Sequence, residues 1–274
     1  MTAKNSHRGI AMKNKNIGFI GTGNMGAALV RAVRAAGYPA LLYDRDGAKA
    51  SALAADTDSR AVSLTELWEA ADFIFVGVKP NVLPALAVEL DGLSKDRSPV
   101  LISMAAGTSL EKLTSLFGDR PIIRIMPNTS VAYGEGMVLW CAGDLVSEDD
   151  TETFLDLMSR SGVLDRIPES LIDAASALSG CGPAFVYMFM EALADGGVLC
   201  GLPRDKATLY AAQTLIGAAT TLMKSGKHPE ALKDAVCSPG GTTIEGVRTL
   251  ENGGFRASAM NAVIAAYEKT VKMK

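Results

Sequence analysis

Apolar positions along the chain follow two different patterns. Through the first half they come as short unbroken runs separated by segments of helical period. Ile17-Gly18-Phe19-Ile20, Ala40-Leu41-Leu42-Tyr43, Phe73-Ile74-Phe75-Val76-Gly77-Val78, Val100-Leu101-Ile102-Ser103 and Ile122-Ile123-Arg124-Ile125 each predict a strand. Ala27 to Ala36, closed by Gly37, predicts a helix after the first of them. Strands that are apolar at every position have no solvent face, which argues for a parallel sheet covered by helices on both sides. Met137-Val138-Leu139-Trp140 and Val163-Leu164 are candidates to extend that sheet.

After about Ile167 the runs give way to long Ala- and Met-rich stretches of helical period. Helices are predicted over 184–199, with Pro183 at the first turn, from Pro203 to about Ser225, over 229–236, over 242–250 and over 255–271. Ala192, Ala194, Gly196 and Gly197 let helices approach closely. So much small-residue helical surface predicts a dimer rather than a monomeric bundle. The expected organisation is α/β: a polar tail over 1–14, a sheet domain over 15–167 and an all-α domain over 168–274. At roughly 150 residues per domain, the 274 residues suit two domains.

Charge and cysteine content narrow the function. Lys and Arg number 27 against 30 Asp and Glu, which supplies no general basic face for nucleic acid. Aromatics are only 6%, too few for base-stacking platforms. The four cysteines, Cys141, Cys181, Cys200 and Cys237, form no C-x-x-C pair, so neither a disulfide scaffold nor a metal site is expected, and each reads as a small buried hydrophobe. The polar start of the chain lacks the apolar core of a signal peptide. The longest uncharged stretch, Ala174 to Met190, is short for a bilayer and contains Gly180, Gly182 and Pro183. No membrane partner is expected, and the protein is expected in the cytoplasm.

Gly21-Thr22-Gly23-Asn24-Met25-Gly26 fits G-x-G-x-x-G, between a predicted strand and a predicted helix. Asp44 closes the second strand, 18 positions after Gly26. This context makes the loop the dinucleotide-binding turn of a Rossmann-type doubly wound sheet. Asp44 suits the ribose hydroxyls and favours NAD. Arg45 suits a 2′-phosphate and favours NADP, so the residues leave the choice open. Val78-Lys79-Pro80, Met104-Ala105-Ala106 and Asn128 follow the carboxyl ends of later strands, where ligands of open sheets lie.

Ser238-Pro239-Gly240-Gly241-Thr242-Thr243-Ile244-Glu245 is the second distinctive segment. Thr242 and Glu245 have capping-box spacing, so a helix is expected to start here. The Pro-Gly-Gly turn before it exposes amides, which suits a carboxylate. Absences are equally informative. Only two histidines occur: His7 lies in the tail, and His228, before Pro229, reads as a cap. The stretch from Ser179 to Leu199 offers neither Lys nor His as a base for alcohol oxidation. Reduction of a protonated imine needs no such base. A hydroxy-acid dehydrogenase and a non-catalytic dinucleotide sensor are the alternative readings.

These motifs, together with Met126-Pro127-Asn128-Thr129, Leu178-Ser179-Gly180-Cys181-Gly182-Pro183-Ala184 and Leu232 through Thr243, occur in an order that resembles pyrroline-5-carboxylate reductases. The resemblance spans about 15–271. It implies reduction of 1-pyrroline-5-carboxylate, a cyclic imino acid, to L-proline by NADPH or NADH, the last step of proline biosynthesis. It implies an all-α C-terminal dimerisation domain and a ring of dimers. Cofactor contacts are implied at Ile20, Gly21, Thr22, Gly23, Asn24, Met25, Val78, Lys79, Pro80, Met104, Ala105 and Ala106. Substrate contacts are implied at Asp234, Ser238, Pro239, Gly240, Gly241, Thr242 and Thr243, with the Thr243 hydroxyl on the ring nitrogen. Cys181 stands where such proteins usually carry Ser, Asp44 is unusual for NADP-preferring members, and Gly226 stands where some carry Glu.

Overall fold

In a computed structural model, which describes residues 15–93 and 97–272, the apolar runs become strands of one sheet. The expected tail over 1–14 lies outside the described residues. In chain order the strands are β1 (Ile17–Ile20), β2 (Ala40–Tyr43), β3 (Arg60–Ala61), β4 (Phe73–Val76), β5 (Val100–Ser103), β6 (Ile122–Pro127), β7 (Gly136–Ala142) and β8 (Gly162–Arg166). Their spatial order is β3-β2-β1-β4-β5-β6-β7-β8. Only the β6–β7 pair is antiparallel. The connection order reverses between β1 and β4, which opens a crevice at the carboxyl ends of those strands.

Helices α1 (Asn24–Ala35), α2 (Gly47–Asp56), α3 (Leu64–Ala70), α4 (Leu83–Asp91), α5 (Leu110–Phe117) and α6 (Glu148–Leu157) complete the layers around the sheet. Most begin where a short polar side chain accepts an orphan first-turn amide: Asp46 for α2, Ser63 for α3, Ser109 for α5 and a Ser147/Asp150 capping box for α6. One face of the sheet packs Phe19 and Phe75, whose rings stack at 4.6 Å, with Val30, Trp140 and Phe154. The other packs Ile74 and Leu101 with Leu67, Trp68 and Leu86.

Helix α7 (Glu169–Ser179) carries no separate signature, yet it packs on β6 and β7 through buried Ile172, with Ala175 beside it. Contacts therefore divide the described chain after Gly180, not at 167 where the helical period begins. The residues from Tyr267 cluster with the first unit, and Cys181–Ala266 form the second. The second unit holds α8 (Gly182–Leu199), α9 (Arg204–Ser225), α10 (Pro229–Ala235), α11 (Thr242–Asn252) and most of α12 (Phe255–Val271). Its buried apolar residues are three alanines, Ala194, Ala207 and Ala211, while Tyr187, Met188, Leu199, Tyr210, Ile216 and Met223 are exposed. Residues Glu169–Leu199 are, by length and composition, apolar enough to cross a membrane.

All four cysteines are free thiols. Cys141 fits the expected buried hydrophobe. Burial, with Glu169 nearby, pushes its thiol up to about 11 against the opposing Arg124 and Arg166. Cys237 is only half-buried, and Cys181 and Cys200 are exposed, contrary to expectation. The latter two flank α8 in the unit that has almost no core of its own.

Candidate functional site

The glycine loop is built for close approach. Gly21 takes φ +97°, a conformation that favours glycine, and its amide bonds the Tyr43 carbonyl at 2.8 Å. A methyl on Gly26 would collide with the Gly21 carbonyl oxygen, whereas one on Gly23 would meet nothing within 4 Å. The first and third glycines therefore serve the tight turn and helix–strand packing, and the second leaves open backbone. Gly23 is the N-cap of α1 and provides no side-chain cap, so the helix start keeps amides for an anion. These features fit a dinucleotide pyrophosphate.

Beside the loop lies a cleft of about 300 Å³ lined by Ile20, Gly21, Gly23, Asp44, Arg45, Val78 and Lys79, all expected from sequence. Tyr43, Gly77, Val82, Leu86 and Glu89 also line it, and sequence reasoning missed them. Tyr43 and Gly77 continue strands already assigned. The last three come from the segment after β4, which carries no motif.

Several expected contacts do not line this cleft, and some are held by bonds within the fold. Thr22 is buried, and its amide and hydroxyl both donate to Asp44 Oδ2, at 2.7 and 2.9 Å. Asp44 Oδ1 accepts the Asp46 amide at 3.0 Å. Asp44 is thus a clasp between the glycine loop and the end of β2. Burial alone would raise its carboxyl, but the donors from Thr22 and Asp46 outweigh it and hold it below its ordinary value. Asn24 and Met25 open α1, and Met25 and Met104 pack against the core. Pro80 and Ala106 are exposed. Ala105 is buried in the core, so its methyl does not line the cleft. Asn128 bonds within the fold: its Nδ2 donates to the Ser179 carbonyl at 3.0 Å, and its Oδ1 accepts the Met137 amide at 3.3 Å.

The second segment folds as a turn and a helix start. The Gly241 amide bonds the Ser238 carbonyl at 3.0 Å, and α11 begins at Thr242 as expected. Its cap differs from expectation. Gly241 is the N-cap with no side-chain bond, and Glu245 turns to Arg248 instead of back to the helix start. Gly241 has no side chain to accept the first-turn amides, and Glu245 is held by Arg248, so those amides have no side-chain acceptor. Asp234, at the end of α10, pairs with Lys233 at 3.2 Å. His228 caps α10, its Nδ1 accepting the Glu230 amide at 3.3 Å.

Residues 16–107 match the family model described as NADP oxidoreductase coenzyme F420-dependent, and residues 169–273 match the one described as pyrroline-5-carboxylate reductase dimerisation. The chain is 40% identical to the pyrroline-5-carboxylate reductase of Escherichia coli (strain K12), over 94% of this chain and 98% of that one. It belongs to the pyrroline-5-carboxylate reductase family. The reductase of Arabidopsis thaliana is 39% identical, over 95% of this chain and 96% of its own. A crystal structure of the Plasmodium falciparum pyrroline carboxylate reductase with NADP bound superposes with a TM-score of 0.84 at 32% identity, covering 95% of this chain and 98% of that one. The Streptococcus pyogenes 1-pyrroline-5-carboxylate reductase gives 0.85 at 31% identity, covering 93% and 98%. The family's architecture is the one read from sequence, a Rossmann-type parallel sheet followed by a helical dimerisation domain.

Proposed function

We propose that the chain reduces 1-pyrroline-5-carboxylate to L-proline with NADPH or NADH. The observation that carries this reading is the Ser238–Thr243 turn, whose helix start keeps its amides and a threonine hydroxyl free of side-chain caps. In this reading the amides at Thr242 and Thr243 hold the substrate carboxylate, supported by the helix dipole, while the Gly241 amide, bonded to the Ser238 carbonyl, fixes the turn. Asp234, Ser238, Pro239 and Gly240 shape the pocket around it. The Thr243 hydroxyl donates to the lone pair that develops on the ring nitrogen and orients the C=N bond. When bound, the nicotinamide cofactor supplies the hydride. That hydride forms a new C–H bond at the imine carbon, the C=N π pair moves to nitrogen, and the nitrogen keeps its proton as a secondary amine. No base is required, which accords with a long helix α8 free of Lys and His. Ile20, Gly21, Gly23, Asn24 and Met25 hold the pyrophosphate, with Val78, Lys79, Pro80, Met104 and Ala106 along the rest of the dinucleotide.

Reduced-nicotinamide absorbance is expected to fall on adding 1-pyrroline-5-carboxylate, with proline as the stoichiometric product. Intact dinucleotide binding with no turnover would sink the reading.

By role, residues 15–167 bind the dinucleotide and residues 168–274 bind substrate and a second copy of the chain. Three buried alanines cannot stabilise the helical unit, since a small domain needs most of its apolar surface covered. The exposed side chains of α8 and α9 are therefore read as a homodimer face, with dimers joining into a ring in the cytoplasm. Sedimentation at micromolar concentration is expected to give at least a dimer. A folded monomer would overturn the homodimer, and a mass that stops at the dimer would remove the ring.

A further inference from the structure

Arg45 and Glu89 come from distant parts of the chain and meet at the cleft beside the glycine loop. Arg45 follows β2, and Glu89 stands in the last turn of α4, one helical turn beyond Leu86. All three line the cleft, and the Arg45 Nη2–Glu89 Oε1 distance is 2.8 Å. Nothing local favours an acid at Glu89, because the carboxyl end of a helix repels negative charge. The pair is also accessible, with side-chain exposures of 62% and 41%, so a solute can reach it.

The neighbouring acid is already engaged. Asp44 accepts three hydrogen bonds, two on Oδ2 and one on Oδ1, out of about four sites on a carboxylate. Little of it remains for ribose hydroxyls. The cation next to it is held by an exposed ion pair, which is a weak restraint. In a doubly wound sheet, the end of the second strand is where the adenosine ribose lies, and an Arg there accommodates a 2′-phosphate.

We propose that Glu89 is a specificity-determining residue, competing with the 2′-phosphate of the cofactor for Arg45. This rests on the reading of the cleft as the dinucleotide site. A 2′-phosphorylated dinucleotide must take Arg45 from Glu89 and lie near the displaced carboxylate. A dinucleotide with free ribose hydroxyls leaves the pair intact. Glu89 therefore lowers affinity for NADP relative to NAD without touching the shared parts of either cofactor.

Dissociation constants for NADP⁺, NAD⁺ and 2′-AMP, measured by calorimetry on the full-length protein, test this. Glu89→Gln is expected to tighten NADP⁺ and 2′-AMP roughly three- to tenfold and leave NAD⁺ unchanged. Arg45→Gln is expected to weaken NADP⁺ and 2′-AMP roughly tenfold or more, again without effect on NAD⁺. Equal changes for both dinucleotides, or no change in either with Glu89→Gln, would overturn the role of Glu89. If neither dinucleotide binds the unaltered protein, the reading of the cleft itself fails. Far-ultraviolet circular dichroism of each variant guards against misfolding, and Glu89→Ala repeats the test with a smaller side chain.

Discussion

Replacing Thr243 by Val is expected to lower turnover about 30- to 150-fold while leaving dinucleotide affinity unchanged. The loss corresponds to about 2–3 kcal/mol, the size of one hydrogen bond that strengthens only in the transition state. Thr243 suits this role because its hydroxyl is free. Thr208, Thr214, Thr221 and Thr249 each turn their hydroxyls onto the carbonyl four residues earlier in their own helices. Thr243 is the second residue of α11, so its fourth predecessor lies outside the helix, and among the described residues its hydroxyl makes no hydrogen bond. Valine keeps the branched shape and removes only the hydroxyl. The site is exposed within the chain, where substitutions change stability by less than about 0.5 kcal/mol, so a slow enzyme would not be an unfolded one. The deficit should fall mainly on kcat, because the hydroxyl donates to a nitrogen lone pair that forms only as the hydride is transferred. Thr243→Ser, which keeps the hydroxyl, should recover most of the rate. A Thr243→Val enzyme with unchanged kcat would remove Thr243 from the mechanism.

Legibility from sequence followed burial. β1, β4 and β5 are buried at every position, so each reads as an unbroken apolar run. Arg60–Ala61 is an edge strand exposed at both positions, and nothing in its composition marks it. The glycine loop was readable because its turn and its helix contact impose residue types at fixed spacing. Long-range pairings impose none. Glu89 lies far along the chain from Arg45, and no local pattern joins them. The same limit applies to Asn128, whose amide is claimed by Ser179 and Met137, and to Asp44, claimed by Thr22. Spacing also misleads where two partners compete. Thr242 and Glu245 satisfy the capping-box rule, but Arg248, one turn further on, takes the carboxylate. The outcome leaves a more open helix start than the rule predicts.

Replacing Arg124 by Met is expected to lower the free energy of unfolding by about 3–5 kcal/mol, because removing one partner of a buried ion pair leaves the desolvation cost without its compensation. Arg124 stands on β6 with its side chain 2% exposed. Its Nη1 donates to Glu169 Oε1 at 2.9 Å and its Nη2 to Asp173 Oδ1 at 3.0 Å. The same Glu169 oxygen accepts the Leu110 amide at 2.7 Å, so one carboxylate joins the first turn of α7 to both β6 and the start of α5. Just past the end of β6, Asn128 holds the last carbonyl of that helix. The strand and the residue after it therefore grip α7 at both ends, and the two contacts made by Arg124 are the ones that neutralise charge. Urea unfolding monitored by Trp68 and Trp140 fluorescence measures the loss. The double variant Arg124→Met with Asp173→Leu should regain most of it, since an apolar replacement of a buried pair is close to neutral. A single-variant loss below about 1 kcal/mol would show that these carboxylates are stable in the core without the guanidinium.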